Sequence, residues 1–238
     1  MRISKFFSLL VMSLLLTACG DSFTENDYIY YPIGDSITWV DGNGYGGSDE
    51  IMLGYPSIIQ KEQGYDGVIN KGIDGASLAK SPNYPKNGSI LLDNDWKDLN
   101  LADTITILSG TNDFKLNVPI GDISDGNLDN TTYTGAYQSM LKEIKSKNPD
   151  AEVYLLTPLQ RDNDNYDIHT VNEAGHKLIE YVDRVKELGE KYGYEVIDLY
   201  NLSDINVDTL DEYTVDGLHP NEKGFEVMAN EILNVVKQ

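Results

Sequence analysis

The sequence predicts an α/β fold in which a five-stranded parallel sheet lies between two layers of helices. Three observations predict it. Short apolar runs rich in β-branched and aromatic residues recur along the chain, as strands require. Segments with helical spacing separate them, and strands alternating with helices argue for parallel pairing with both faces covered. Several of these runs end in turns built from Gly, Ser, Asn and Asp. Open parallel sheets hold their ligands at that position, beyond the carboxyl ends of the strands.

The first strand is the run Tyr28-Ile29-Tyr30-Tyr31-Pro32-Ile33, which stops at Gly34. Ser36 follows two residues later, as a candidate nucleophile just past a strand end; a plain Gly-Asp-Ser turn would read the same way. Residues 39–48 hold four glycines among ten positions and form a loop able to shape a pocket. Helical spacing over Tyr55–Gln63 ends at Gly64, a C-cap. Gly67-Val68-Ile69 is a second short strand, leading into the turn Asn70-Lys71-Gly72-Ile73-Asp74-Gly75.

Residues 80–100 carry no clear periodicity, though Trp96 and Leu99 would suit one face of a helix. The third strand is Asp103–Leu108, ending in Ser109-Gly110-Thr111-Asn112-Asp113. An irregular stretch runs from Phe114 to about Asn130, a length typical of functional loops. Tyr133–Lys147 repeats with helical period and stops at Asn148-Pro149. Glu152–Thr157 is the fourth strand, followed by an irregular stretch to about Thr170. A long helix is expected over Val171–Lys191, with Ala174, Leu178, Ile179, Val182, Val185 and Leu188 on one face. Tyr194–Leu199 is the fifth strand and Asn221–Val236 the last helix.

The chain has 238 residues and a formal net charge of −21. Such a field repels phosphate backbones, which argues against nucleic acid as a partner. The N-terminus reads as a targeting segment: Arg2 and Lys5 precede an apolar stretch, Phe6 to Leu16, that is too short to span a bilayer comfortably. Leu16-Thr17-Ala18-Cys19 resembles the lipobox of bacterial lipoproteins, in which the cysteine is lipidated. The division expected is a signal peptide over residues 1–18, a polar tether over 19–27 and one domain over 28–238. On that reading a lipid anchor at Cys19 holds the protein to a bacterial membrane, at the cell surface or facing the periplasm. Cys19 is the only cysteine, so the body of the protein contains neither a disulfide nor a thiolate nucleophile.

A serine nucleophile needs a base that is neutral near physiological pH, and histidine supplies one. There are three: His169, His176 and His219. His176 falls within the expected long helix and His169 in a loop. His219 differs, because Asp216 lies three residues upstream and Pro220 follows it. Across a tight turn the Asp216 carboxylate could reach the imidazole and hold its tautomer. A histidine capping the last helix beside an incidental aspartate is the competing reading.

Four stretches stand in order: Gly34-Asp35-Ser36, Asn70-x-Gly72-x-x-Gly75, Gly110-Thr111-Asn112-Asp113, and Asp216-x-x-His219-Pro220. Together they resemble the SGNH hydrolases, also called GDSL-type lipases and esterases, from about residue 28 to the end of the chain. Phe114 and Pro119-Ile120-Gly121 look like the bacterial branch of that family. The resemblance implies a flavodoxin-like SGNH hydrolase fold and a serine esterase that needs no cofactor or metal. It implies Ser36 as nucleophile, His219 as general base and acid, and Asp216 as its orienting partner. It further implies an oxyanion hole made by the Ser36 N–H, the Gly72 N–H and the Asn112 side-chain amide. Asp35, Asn70 and Asp113 would brace these turns. Thr38 stands where the Gly-x-Ser-x-Gly elbow of α/β-hydrolases has its second glycine, so that elbow is not the match.

The substrate expected is a small-molecule or glycan ester, with a short acyl or O-acetyl group to remove. Two readings use the same fold: an acyltransferase with the same triad, and a surface lipoprotein that binds glycan, peptide or another ligand with a degenerate site. A metal-dependent hydrolase ranks below these, since the chain has no His-x-x-x-His or paired ligand motif.

Overall fold

The computed structural model describes residues 23–45 and 51–236. The expected signal segment and Cys19 lie outside the described residues. Within them, no helix is long and apolar enough to cross a membrane.

The parallel sheet is present. Its segments are β1 (Ile29–Gly34), β2 (Gly67–Val68), β3 (Lys71–Gly72), β4 (Thr104–Leu108) and β5 (Glu152–Leu156). A separate antiparallel hairpin, β6 (Asp162–Asn163) and β7 (Tyr166–Asp167), precedes the last sheet strand, β8 (Glu195–Ile197). The second expected strand is split in two. Both β2 and β3 pair with β1, through Ile29↔Gly67 and Gly34↔Gly72. The sheet therefore has five columns, in the order β2/β3, β1, β4, β5, β8, all parallel.

Register aligns the strand ends. Gly34 lies opposite Gly72 on one side and Leu108 on the other; Leu108 pairs with Leu156, and Leu156 with Ile197. Because the strands are parallel and end in one row, the segments that follow them emerge along one edge.

Side chains along each strand point alternately to the two faces, so each face has its own apolar set. Tyr31, Ile33, Ile105, Ile107, Val153 and Leu155 pack on one side. Tyr30, Leu108, Tyr154, Leu156 and Ile197 pack on the other. The short helix α1 (Ser36–Trp39) follows β1, and α2 (Tyr55–Gln63) ends at Gly64 in the left-handed conformation, φ 73°. Next come two short helices, α3 (Ile90–Asp93) and α4 (Thr111–Lys115), and two long ones, α5 (Tyr133–Lys147) and α6 (Leu178–Tyr192). The chain closes with α7 (Leu199–Leu202), α8 (Leu210–Tyr213) and α9 (Glu222–Leu233). Helices α5 and α6 cover the first face; α2 and α9 cover the second. Phe225, Met228 and Ile232 of α9 are fully buried, each worth about 1.5–3 kcal/mol relative to exposure.

Three expectations are corrected. The long helix begins at Leu178, not Val171. Gly175 has φ 86°, and Glu180 accepts the Lys177 N–H at 2.7 Å, capping the helix there. The preceding residues loop so that buried Asn172 donates to the Phe114 carbonyl. His176 therefore lies before the helix. Trp96 and Leu99 share no helix: Trp96 and Asp98 have positive φ, and only a 3₁₀ turn forms at Leu99–Leu101. The fifth strand stops at Ile197, and Leu199 is already helical.

Candidate active site

Ser36 is the first residue of α1. Asp35 caps that helix, its Oδ1 accepting the Ile37 N–H at 3.0 Å. The turn between β1 and α1 is tight because of Gly34: a Cβ there would lie 2.1 Å from Thr38 Oγ1 and 2.9 Å from the Leu108 carbonyl oxygen. Thr38 fills the space a glycine would leave, and its hydroxyl bonds Tyr55 Oη at 2.8 Å.

The Asp216–His219 segment sits in a narrow loop between α8 and α9. Thr214 and Pro220 form an antiparallel bridge, and the Val215 N–H donates to the His219 carbonyl at 2.8 Å. Gly217 turns the chain at φ 81° with the Asp162 carbonyl beneath it. The β6–β7 hairpin grips this loop: the Asp162 N–H donates to the Gly217 carbonyl and the Asn163 side chain to the Asp216 carbonyl, both at 2.8 Å. The loop brings His219 Nε2 to 3.0 Å from Ser36 Oγ across 183 residues of sequence. His219 Nδ1 lies 2.8 Å from Asp216 Oδ2. Burial alone would raise the Asp216 pKa, but hydrogen bonds from the His219 backbone and ring and from the Leu218 N–H outweigh it and hold the carboxyl below its usual range. A hydroxyl, an imidazole and a carboxylate linked in this order can move a proton off the hydroxyl and stabilise the resulting imidazolium.

His169 is exposed in the turn after β7, and His176 pairs with Glu180 at 3.1 Å. Neither joins Ser36. Asn112 lies in the first turn of α4 and is 8 % exposed; its Nδ2 donates to the Ala76 carbonyl at 3.0 Å, which fixes the amide.

Gly72 is placed differently from expectation. Its N–H is already donated to Asn70 Oδ1 at 2.8 Å, and a Cβ on it would lie 2.3 Å from the Trp39 nitrogen. Gly72 therefore permits close approach of the Thr38–Trp39 backbone. Gly75, in the same motif, has φ 65°, and its N–H donates to no acceptor among the described residues; nor does the N–H of Ser36. Gly75 adjoins Ala76, whose carbonyl holds the Asn112 amide.

The bracing residues do as expected. Asn70 ties its own turn to the Thr38 carbonyl at 2.8 Å. Asp113 accepts the N–H groups of Leu78 and Ala79 at 2.8 and 3.0 Å. Burial pushes Asp35 up to about 7 and Asp113 up to about 6, against the hydrogen bonds they accept.

Sequence reasoning missed Arg161. It is fully buried, and its guanidinium donates to Thr111 Oγ1 at 2.9 Å and to the carbonyls of Asn163 and Tyr166. It ties the turn that carries Asn112 to the hairpin that grips Asp216. Burial lowers its pKa, opposed by the charges of Asp164, Asp35 and Asp216. Its only sequence signal is a lone arginine in an irregular stretch.

A groove of about 440 Å³ at the opposite end of the sheet is lined by Glu25, Asp27, Asp103, Asp150 and Glu152 among others, and contains none of the four motifs.

With this geometry in place, comparison with known proteins identifies the family. The GDSL-like lipase/acylhydrolase family matches residues 33–227. The chain belongs to that family. An acetylxylan esterase of Xylanibacter ruminicola is 28% identical over 233 residues, which cover 86% of this chain and 42% of that protein. The chain thus spans less than half the length of the curated relative it matches. A crystal structure of a protein from Lactobacillus plantarum superposes with a TM-score of 0.73 at 22% identity, covering 87% of this chain and 95% of that one. A crystal structure of an acetyl xylan esterase does so with a TM-score of 0.58 at 21% identity, covering 88% of this chain and all of that one. These two likenesses concern the fold, an α/β arrangement with a parallel central sheet.

Proposed function

We propose that this GDSL-family protein is a carbohydrate O-deacetylase that works through a Ser36–His219–Asp216 triad. The observation that carries the reading is the 3.0 Å contact between Ser36 Oγ and His219 Nε2. Ser36 Oγ attacks the ester carbonyl carbon while Nε2 takes its proton, and the imidazolium is stabilised by Asp216. The carbonyl π electrons move to oxygen. That oxyanion is met by the Ser36 N–H and the Asn112 amide, with the Gly75 N–H in the place expected for Gly72, since a donor already engaged by Asn70 is not available. Collapse of the intermediate breaks the bond to the alcohol, which leaves with the proton from Nε2. Water, deprotonated by His219, then releases acetate and restores Ser36.

The acetyl preference is drawn from the relative named acetylxylan esterase. The lipobox-like Leu16-Thr17-Ala18-Cys19 supports a lipid anchor on a bacterial membrane, and with it a substrate at the cell surface or in the periplasm. Hydrolysis of p-nitrophenyl esters from acetate to octanoate, and release of acetate from acetylated xylan, tests the reading. Activity greatest on acetate and abolished in Ser36→Ala supports it. Turnover that survives in Ser36→Ala overturns it.

A further inference from the structure

Tyr45 lies outside all four motifs, in the glycine-rich loop after α1. Its ring centroid is 4.6 Å from that of His219, with the planes tilted by 46°. The ring therefore covers one face of the imidazole. Its hydroxyl oxygen is buried and has no hydrogen-bond partner among the described residues. Native structures rarely leave a buried hydroxyl unpaired, and those that do call for an explanation.

The segment that leads into Tyr45 is tied at its base. Asp41 accepts the Gly54 N–H at 2.7 Å and the Ser57 hydroxyl at 3.0 Å. The Asn43 side chain donates to the Trp39 carbonyl at 2.8 Å. The Gly42 N–H donates to the Met52 carbonyl, and the Met52 N–H to that of Asn43. Tyr45 is thus placed by the fold. Burial pushes the pKa of its hydroxyl up, and the charges of Asp35, Asp216 and Asp74 add to the shift. These carboxylates come from the three turns that also carry Ser36, His219 and Gly75, and the ring contact with His219 sets Tyr45 beside them. Asp35 and Asp216 are already engaged with Ile37 and His219.

We propose that Tyr45 is a substrate-contacting residue whose hydroxyl hydrogen-bonds the alcohol half of the bound ester, and that this alcohol is a sugar. The inference rests on the esterase reading for the term "alcohol half", since the imidazole must reach the oxygen that leaves. A group lying along the imidazole then lies along the departing alcohol. A sugar carries hydroxyl and ring oxygens that can pair with a phenol, whereas a plain hydrocarbon alcohol would leave it unsatisfied. A site built to hydrogen-bond its substrate discriminates strongly against analogues that lack the partner. The ring also keeps water from one face of His219.

The test compares wild type with Tyr45→Phe on an acetylated methyl xyloside and on p-nitrophenyl acetate. The nitrophenyl group offers no hydroxyl where a sugar does. The expected result is a fall of about tenfold or more in the ratio of kcat/KM, sugar ester over nitrophenyl ester. An unchanged ratio overturns the proposal, whatever the absolute rates. A second measurement does not depend on turnover. Calorimetric affinity for the same xyloside is compared in Ser36→Ala and in Ser36→Ala/Tyr45→Phe. Weaker binding in the double variant, again by about tenfold, supports the contact. Equal affinity, or no measurable binding to either, overturns it. Should the wild type hydrolyse neither ester, the triad reading fails and the binding comparison still decides the role of Tyr45.

Discussion

Asp216 holds His219 with both oxygens of one carboxylate. Oδ2 accepts the ring Nδ1–H at 2.8 Å, and Oδ1 accepts the backbone N–H at 2.8 Å. Oδ1 also accepts the Leu218 N–H at 3.1 Å. The side chain that orients the imidazole therefore also shapes the loop that carries it. In Asp216→Asn the amide oxygen is needed by the two backbone N–H groups, which turns the amide NH₂ toward Nδ1. The ring must then carry its proton on Nε2, where it cannot accept one from Ser36. Turnover of a short acetate ester is expected to fall by about 10³–10⁴ while the loop stays folded. A loss below tenfold at an unchanged melting temperature would remove Asp216 from the triad.

Asn112 is held by one of its two amide hydrogens, on the Ala76 carbonyl at 3.0 Å. The other makes no hydrogen bond to a described residue, and in the proposed mechanism it meets the oxyanion. Asn112→Ala is expected to lower kcat by about 10²–10³ and to leave KM nearly unchanged, since the lost bond is made in the transition state. Steady-state kinetics on p-nitrophenyl acetate checks this. A drop of only a few-fold would take Asn112 out of the oxyanion hole.

Asp35 is buried, and its carboxyl is pushed from 3.8 up to about 7 by burial, with the Ile37 N–H opposing. A carboxyl that holds its proton more tightly in the folded chain stabilises the fold below its unfolded pKa. That contribution is lost as pH rises through the folded value. Asp113, pushed up to about 6, acts in the same direction. Stability is expected to decline between about pH 4 and pH 7 through these two groups. Asp35→Asn keeps the acceptor for Ile37 and cannot ionise, so it flattens the decline. Urea midpoints in acid and at alkaline pH, for both proteins, measure it; equal pH dependence in the two would refute the assignment to Asp35.

Much of the fold was legible because periodicity is local. The helices over Tyr55–Gln63 and Tyr133–Lys147 were read to the residue, since each has one apolar face and a clear stop, at Gly64 and Asn148. The helix expected from Val171 was too long because its cap depends on Glu180 folding back onto Lys177. The apolar spacing runs through that point without a break. The expected second strand divides at Asn70: the Ile69 N–H still donates to the Tyr30 carbonyl at 2.9 Å, whereas Asn70 spends its side chain on Gly72 and Thr38.

The sequence by itself determined the fold class and the order of the four motifs, and it singled out Ser36, Asp216, His219 and Asn112 as the candidate site, because residue type and spacing carry that information. Only the tertiary structure decided which glycine of the Asn70–Gly75 turn keeps a free N–H, since that depends on where Asn70 points. It alone placed Arg161 between the Asn112 turn and the hairpin beneath Asp216, and Tyr45 over His219. Those contacts join segments with no periodic relation to one another. They exist because parallel strands ending in one row bring the segments that follow them to the same edge of the sheet.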